Sequence, residues 1–509
     1  MNLRPLVERR FVGSAVALAA GMLLTLSFAP LAWWPLSFLM PALLMWLWQG
    51  ATPRRAAVLA FWFNAGTFAL GTYWMYISIR IVAHAPIPLA LLLMAGLVSI
   101  MGAYHALLGW LVQKYLPERG AWRWLVGIPA CWLFIEWWRS WFLTGFGWFA
   151  LGYSQTDTWL GSLAPVVGQY GLGLLVLLVA GALMTLVAGN RRERIAAAVV
   201  IVVVWGAGLG LSRVEWTQPY SRPISVAVIQ GAIPEDAKWI ADNLQLMLDR
   251  YQTMTREAHG AQLIVWPESA IADLANNHIS YYRDVYAEAS AHGSSLLMGT
   301  LRAEENKQTG EEEYYNSVLA MDKSTPGVAW HDKHHLVPFV EFFPVPGFVR
   351  QWLKLMTLPY SDFNHGAANQ APLEAAGQKI AATVCYEDGY GSSQLPALRT
   401  ATLLVNVTND AWFLKSTARY QHLQISRLRS MEAGRPTIRA ANDGVSAVIG
   451  HRGELITTAP EYEANVMRAV LQPRSGLTPY ARTGNWLVIS LVLVLGSASA
   501  YVRRRKKTV

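Results

Sequence analysis

From residue 11 to residue 211 the chain is a succession of long apolar runs separated by short, mostly basic punctuation. After that the pattern changes. A bilayer core takes about 20 apolar residues per helix. Runs of about that length cover 11–29, 31–48, 56–79, 87–112, 122–142, 164–188 and 195–211, and an eighth covers 486–501. Basic residues precede the first run, as in a signal peptide, but further runs follow directly, so a retained first helix is expected. Between 213 and 480 the apolar stretches shorten and alternate with polar ones. Strands are expected at 224–230, 263–266, 295–299, 316–321, 380–385, 403–407 and 445–449. Helices are expected at 243–259 and 279–292, with an amphipathic helix at 421–433. Strands alternating with helices predict an α/β layered domain.

Composition sharpens this division. Only 15% of the 509 residues are charged and 53% are hydrophobic, against roughly 25% charged in a soluble protein. The pattern therefore predicts about eight transmembrane helices joined to a water-soluble domain. The expected divisions are 1–212 for the first seven helices, 213–480 for the soluble domain and 481–509 for the last helix and basic tail. The net charge of +9 does not point to nucleic acid, because the basic residues cluster beside apolar runs. Arg4, Arg9 and Arg10; Arg54 and Arg55; Lys114, Arg119 and Arg123; Arg191, Arg192 and Arg194; and Arg503–Lys507 all fall on one side of an eight-span chain. By the positive-inside rule both termini are cytoplasmic and the soluble domain lies across the membrane. No Cys/His metal spacing, Walker loop or dinucleotide fingerprint is present, so no metal, nucleotide or other cofactor is expected.

Candidate chemistry lies where polar residues follow apolar strands. Ile380–Val384 runs straight into Cys385, Tyr386, Glu387 and Asp388, which reads as a buried strand ending on a thiol. The only other cysteine, Cys131, lies in an apolar run. Cys385 thus has no expected disulfide partner and is a candidate reactive thiol; a small core residue is the competing reading. LIVW leads into Pro267, Glu268 and Ser269. A dense polar patch runs from His331 through Lys333 to Glu341, and Thr408-Asn409-Asp410-Ala411-Trp412-Phe413 follows another strand. Polar residues at several strand ends are expected where the rim of a sheet builds a site. Within the apolar part, Glu136 and Arg139 are spaced to pair on one helix face. The stretches 74–76 and 144–148 read as interfacial aromatic anchors or the lining of a lipid entrance.

WPESA at 266–270, KHHLVPFVEF at 333–342 and CYED at 385–388 resemble the Glu, Lys and Cys motifs of the nitrilase superfamily. Apolar spans before and after that domain resemble the bacterial apolipoprotein N-acyltransferases. So do SFAP at 27–30, TGF at 144–146, GYSQ at 152–155, VTNDAWF at 407–413 and GLTPYARTGNW at 476–486. The resemblance implies an αββα sandwich with Glu268, Lys333 and Cys385 as catalytic triad, and Glu341 and Glu387 as supporting acids. Trp239 matches a family aromatic near the substrate, and Phe342 and Trp412 are further substrate-side candidates. The implied reaction moves an acyl chain from a membrane phospholipid, through a Cys385 thioester, to the α-amine of an apolipoprotein's diacylglyceryl-cysteine. The implied setting is the bacterial inner membrane, with the catalytic domain periplasmic. The apolar residues Phe342, Phe343, Phe348, Trp352, Leu355 and Met356 are expected to cover the site and meet lipid. Val340 and Leu414 stand where the family has glycine, so backbone strain is expected there if those positions need positive φ. Two other readings share these residues: a membrane-tethered amidase using the same triad, and a transporter carrying a degenerate nitrilase-like module. The transporter reading predicts repeated halves and charges deep in several spans, and neither is found.

Overall fold

The computed structural model describes residues 10–324, 327–342 and 363–508. The chain divides into two compact units. The first comprises Met1–Glu215, Lys415–Gln424 and Arg482–Val509, and the second Trp216–Leu414 and Ile425–Ala481.

The first unit is helical. Among the described residues, Ile87–Tyr115, Trp159–Ala188, Arg191–Leu211 and Trp486–Arg505 are long and apolar enough to cross a membrane. Phe11–Thr25 and Leu36–Leu47 are shorter. Three expected runs are broken, that at 164–188 by Gly168, which leaves helical geometry at φ +63°. The run 56–79 is a helix only over Pro53–Gly71, and it restarts at Tyr73–Ile77 after Thr72 leaves helical geometry. The run 122–142 opens with a π-helical turn, Arg123–Gly127, before Ile128–Arg139. Hydropathy registers apolar length but not these local changes in winding. Polar groups inside the bundle are hydrogen-bonded across helices, as an apolar surrounding requires: Asn64 donates to the Met101 carbonyl at 2.6 Å and Thr67 to that of Gly21 at 3.1 Å. Glu136 and Arg139 are both buried. Glu136 accepts the Leu151 N–H at 3.2 Å, while Arg139 donates to the carbonyls of Phe146 at 3.0 Å and Trp148 at 2.8 Å. Trp74 and Trp148 do not act as interfacial anchors. They are 2% and 3% exposed, and both indoles donate to Oε1 of Gln421, at 3.1 and 3.0 Å.

The second unit is built on two six-stranded sheets. Its strands in chain order are β1 (Gln218–Pro219), β2 (Ile224–Gln230), β3 (Leu263–Val265), β4 (Ser295–Glu305), β5 (Glu312–Met321), β6 (Ala329–Asp332), β7 (Leu373–Ala375), β8 (Gln378–Val384), β9 (Leu403–Thr408), β10 (Thr437–Ala441), β11 (Ala447–Ile449), β12 (Leu455–Thr458), β13 (Asn465–Leu471) and β14 (Arg474–Ser475). The first sheet has the order β13-β2-β3-β4-β5-β6 and the second β12-β11-β10-β9-β8-β7. Side chains alternate between faces with period two. Val226, Val228, Leu263 and Val265 of the first sheet meet Val384, Val405, Val407 and Ile438 of the second in one core. Their neighbours Ala227, Ile229 and Ile264 face the other way, into a core with Met247, Tyr251 and Val285 from the helices Leu244–Glu257 and Ile279–Ala291. Ala381 and Leu404 face outward from the second sheet, beside Leu398 and Ala433. Helix, sheet, sheet, helix is the layer order, as expected.

Several short or edge strands were not expected: β6, β7, β10, β12 and β13. The helix at 421–433 is not amphipathic. It spans Ala418–Ala433 and is buried nearly all round, with its polar residues paired internally, as in Arg429–Glu432 at 2.7 Å. Polar periodicity there records partners rather than solvent.

Candidate active site

Strands β2, β3 and β4 run parallel to one another, and so do β8, β9 and β10. A parallel set delivers its C-terminal ends to one rim, where loops gather. Glu268 follows β3, Lys333 follows β6, Cys385 follows β8 directly and Asn409 follows β9. The close approach of the Glu268 turn to β4 depends on Gly299: a Cβ there would stand 2.3 Å from the Pro267 carbonyl oxygen and 2.6 Å from the Glu268 Cα.

Glu268 is 7% exposed. Its Oε1 accepts Asn316 Nδ2 at 2.7 Å and lies 3.8 Å from Lys333 Nζ, while its Oε2 accepts the Asn409 N–H at 2.8 Å. Lys333, 1% exposed, is held by its backbone N–H on the Asn316 carbonyl at 2.8 Å. Its ammonium lies 2.9 and 2.8 Å from the two oxygens of Glu341. Glu341 in turn accepts Asn316 Nδ2 at 3.0 Å and the Val337 N–H at 2.7 Å. The result is one buried ammonium between two carboxylates, with Asn316 bridging both acids.

Burial sets the protonation states first, and neighbours then adjust them. Burial raises the Glu268 carboxyl; Lys333 opposes the rise, and the nearby Glu341 adds to it. Burial would lower Lys333, but Glu341 and Glu268 outweigh it and hold the ammonium above the ordinary lysine value. Cys385 is raised, chiefly by burial and then by Glu268, against the pull of Lys333. The neutral thiol is therefore favoured over the thiolate. Such a thiol needs a base at the moment it reacts, and a carboxylate with a raised pKa suits that task.

Neither cysteine is in a disulfide. Cys385 sits at φ +52°, in the left-handed region, which costs a non-glycine residue about 1–3 kcal/mol. A dense polar network surrounds this bend. Asn406 Nδ2 donates to the Cys385 carbonyl at 3.2 Å, the Thr408 hydroxyl hydrogen-bonds the thiol, and Thr408 also donates to Asp410 at 3.1 Å. The fully buried Arg439 reaches Asp410 at 2.7 Å and the Asn406 side-chain oxygen at 2.7 Å.

Glu387 has a different place from Glu341. It accepts the N–H groups of His334 at 2.7 Å, His335 at 3.1 Å and Val384 at 2.9 Å. It ties the loop bearing Lys333 to the strand bearing Cys385. Burial would raise its carboxyl, but the His331 side chain and these N–H donors pull it down to about 2.

Residues 20–182 match the family model described as apolipoprotein N-acyltransferase N-terminal domain, and residues 225–480 match the carbon-nitrogen hydrolase model. Proteins named apolipoprotein N-acyltransferase are similar to the chain over nearly their whole length. That of Chromobacterium violaceum is 39% identical, covering 93% of this chain and 90% of the relative. That of Methylococcus capsulatus is 37% identical, covering 96% of each. That of Photobacterium profundum is 34% identical, covering 94% of each. The chain belongs to the apolipoprotein N-acyltransferase family.

Within the apolipoprotein N-acyltransferase pattern, the two departures from glycine behave differently. Leu414 is at φ +44°, ψ −148°, so strain is present there. Val340 lies outside the left-handed region, and its neighbour Phe339 takes φ +63° instead. Of the substrate-side candidates, Trp239 is 52% exposed, Phe342 packs 5.4 Å from the His365 ring, and Trp412 lies in the turn Asp410–Phe413. The expected cover continues through Phe343, Phe348, Trp352, Leu355 and Met356, which lie outside the described residues. Sequence reasoning missed Asn316 and Arg439. The signal for Asn316 was present: Asn316-Ser317 stands directly before the apolar half of β5, residues 318–321. Arg439 gave no such signal, because an arginine inside a strand reads as an exposed edge until its partners are known.

Proposed function

We propose that Cys385, Glu268 and Lys333 carry out acyl transfer from a membrane phospholipid to the N-terminal amine of an apolipoprotein. As a member of its family the chain is an N-acyltransferase that acts in lipoprotein maturation. Glu268 takes the Sγ proton as the sulfur attacks the ester carbonyl of the lipid. Negative charge develops on the carbonyl oxygen beside the Lys333 ammonium. A preplaced donor of this kind contributes on the order of 10²–10³ in rate. As the tetrahedral adduct collapses, the ester C–O bond breaks. The departing lysophospholipid oxygen receives the proton from Glu268, and Cys385 keeps the acyl group as a thioester. The α-amine of the diacylglyceryl-cysteine then attacks that thioester. Glu268 takes a proton from the amine and returns it to the leaving Cys385 sulfur as the amide forms. Ester to amide runs downhill, so no nucleotide is required.

The observation that carries this reading is the buried Glu268–Lys333–Glu341 cluster together with Cys385 at the end of β8, outside any disulfide. Glu341 holds Lys333 in place, and Glu387 holds the loop that bears it. Trp239, Phe342 and Trp412 contact the substrate. Eight spans cross the inner membrane with both termini cytoplasmic, and residues 213–480 face the periplasm between the seventh and eighth. The support for this orientation is the one-sided distribution of arginine and lysine.

Purified full-length protein incubated with phospholipid labelled in its acyl chain tests the chemistry. Lysophospholipid release and an acyl adduct on Cys385, both absent in Cys385→Ala, are expected. Release of lysolipid by the Cys385→Ala protein at the same rate would refute the thioester route, and hydrolysis of small amides without any lipid product would favour an amidase. A reporter after Val509 should be cytoplasmic and a tag at Asn306 should not.

A further inference from the structure

Trp239 projects from the end of the short helix Glu235–Lys238 with about half of its surface open, yet its indole is fastened to the interior. Nε1 donates to Glu235 Oε1 at 2.7 Å, and Glu235 is only 6% exposed. The other oxygen, Oε2, accepts Asn409 Nδ2 at 2.7 Å. Asn409 is the residue whose backbone N–H donates to Glu268 Oε2 at 2.8 Å. Three hydrogen bonds thus join an exposed aromatic to the carboxylate that deprotonates Cys385.

Donor and acceptor directions in this chain are locked from behind. The Ile233 backbone fixes Asn442: its N–H donates to Asn442 Oδ1 at 3.3 Å, and its carbonyl accepts Asn442 Nδ2 at 2.9 Å. Asn442 Nδ2 also donates to Asn409 Oδ1 at 3.1 Å. The Asn409 amide therefore cannot turn over without setting two N–H groups against each other, and it must present Nδ2 to position 235. An indole can only donate. Position 235 faces a donor on each side, and only a carboxylate accepts on both.

We propose that Glu235 is a positioning residue, a two-sided acceptor that locks the Trp239 indole in register with Glu268 through Asn409. Substrate resting against Trp239 is thereby placed relative to the base by one rigid unit. Small misplacements at a reacting centre cost large factors in rate, which is the reason to fasten an otherwise exposed ring.

The inference rests on the reading of Glu268 as base and Trp239 as a substrate contact. The test uses full-length protein with acyl-labelled phospholipid, reading single-turnover formation of the Cys385 adduct against lipid concentration. Glutamine at 235 can satisfy one donor only. It keeps the buried Asn409 bond and releases the exposed indole. Glu235→Gln should therefore lower the apparent second-order rate constant about tenfold, by weakening half-saturation, with the rate at saturating lipid changed less than about threefold. Trp239→Phe, which keeps an aromatic ring and deletes the donor, should do the same. The double variant should be no worse than the poorer single variant, within about twofold. Glu235→Ala, which also releases Asn409, should lower the saturating rate as well. Additive losses of about a hundredfold in the double variant, or an unchanged rate in Trp239→Phe, would overturn the clamp. If Glu235→Gln does not fold, Trp239→Phe alone decides. Absence of any adduct in the unaltered protein would instead overturn the reading of the site, so the two failures are distinguishable.

Discussion

The two sheets of the second unit meet the same site with different means. The first sheet brings Glu268 and Lys333, whose positions are set by side chains: Asn316 bridges Glu268 and Glu341, and Glu341 grips the ammonium. The second sheet brings Cys385, whose position is set by backbone. The thiol sits on a left-handed bend, its carbonyl is held by Asn406, and the buried Arg439–Asp410 pair lies behind. The carboxylates and the ammonium of the first sheet are surrounded by side-chain hydrogen bonds, whereas the proposed nucleophile sits on a strained bend backed by a buried ion pair. Proton chemistry needs an environment that accommodates two charge states. An attacking sulfur needs a direction.

That division can be broken from either side. The largest effect is expected on the second sheet. Arg439→Leu strands Asp410 without its cation and should cost about 3–5 kcal/mol of stability, read by thermal or denaturant unfolding. The pair Arg439→Leu with Asp410→Leu should recover most of this loss. On the first sheet, Lys333→Met removes the proposed oxyanion donor, and thioester formation should fall on the order of 10²–10³ while lipid still binds.

The pH response separates the two sides further. The Glu268 carboxyl is raised, so the proposed base is ionised only above that raised value and is lost as pH falls through it. The acid limb of the thioester rate should therefore lie above the ordinary carboxylate range of about 4.3 and vanish in Glu268→Gln. Glu387 is the opposite case. Its carboxyl is depressed to about 2, so its contribution is fully present above the unfolded carboxylate value and disappears as pH falls through about 2. Glu387→Gln should cost roughly 3 kcal/mol at neutral pH and little at pH 2.

The smallest effect sharpens the backbone side. Leu414→Gly places glycine where φ is +44° and should gain about 1 kcal/mol. Val340→Gly relieves no positive φ and should gain nothing. Equal gains would contradict the geometry at the two positions.

Cys385 and Glu268 were legible because each follows an apolar strand, and strand ends meet at a rim in a parallel α/β sheet; Lys333 was legible only from the dense polar patch 331–341 and its likeness to a family motif. The near-continuous apolar runs in Ile224–Gln230 and Gln378–Val384 marked strands buried on both faces, and which face met which core emerged only in the fold. Edge strands such as β6 and β7 escaped detection because they are short and only partly apolar. The helix Ala418–Ala433 misled for a related reason: Arg429 and Glu432 read as a wet face, yet they satisfy each other in the interior. Trp74 and Trp148 were misplaced similarly, since an indole hydrogen-bonded to Gln421 is indistinguishable in sequence from one at a membrane surface.

Local pattern was enough for the apolar helices and the layered α/β domain, because periodicity and strand punctuation are local properties, while the candidate Glu, Lys and Cys set came from likeness to family motifs. Folding added the burial that raises the Cys385 thiol, the grip of Glu341 on the lysine and of Glu387 on the backbone, and the hydrogen bonds that link Trp239 to Glu268 through Glu235 and Asn409. Those outcomes depend on desolvation and on partners far apart in the chain, and neither quantity exists until the chain has folded.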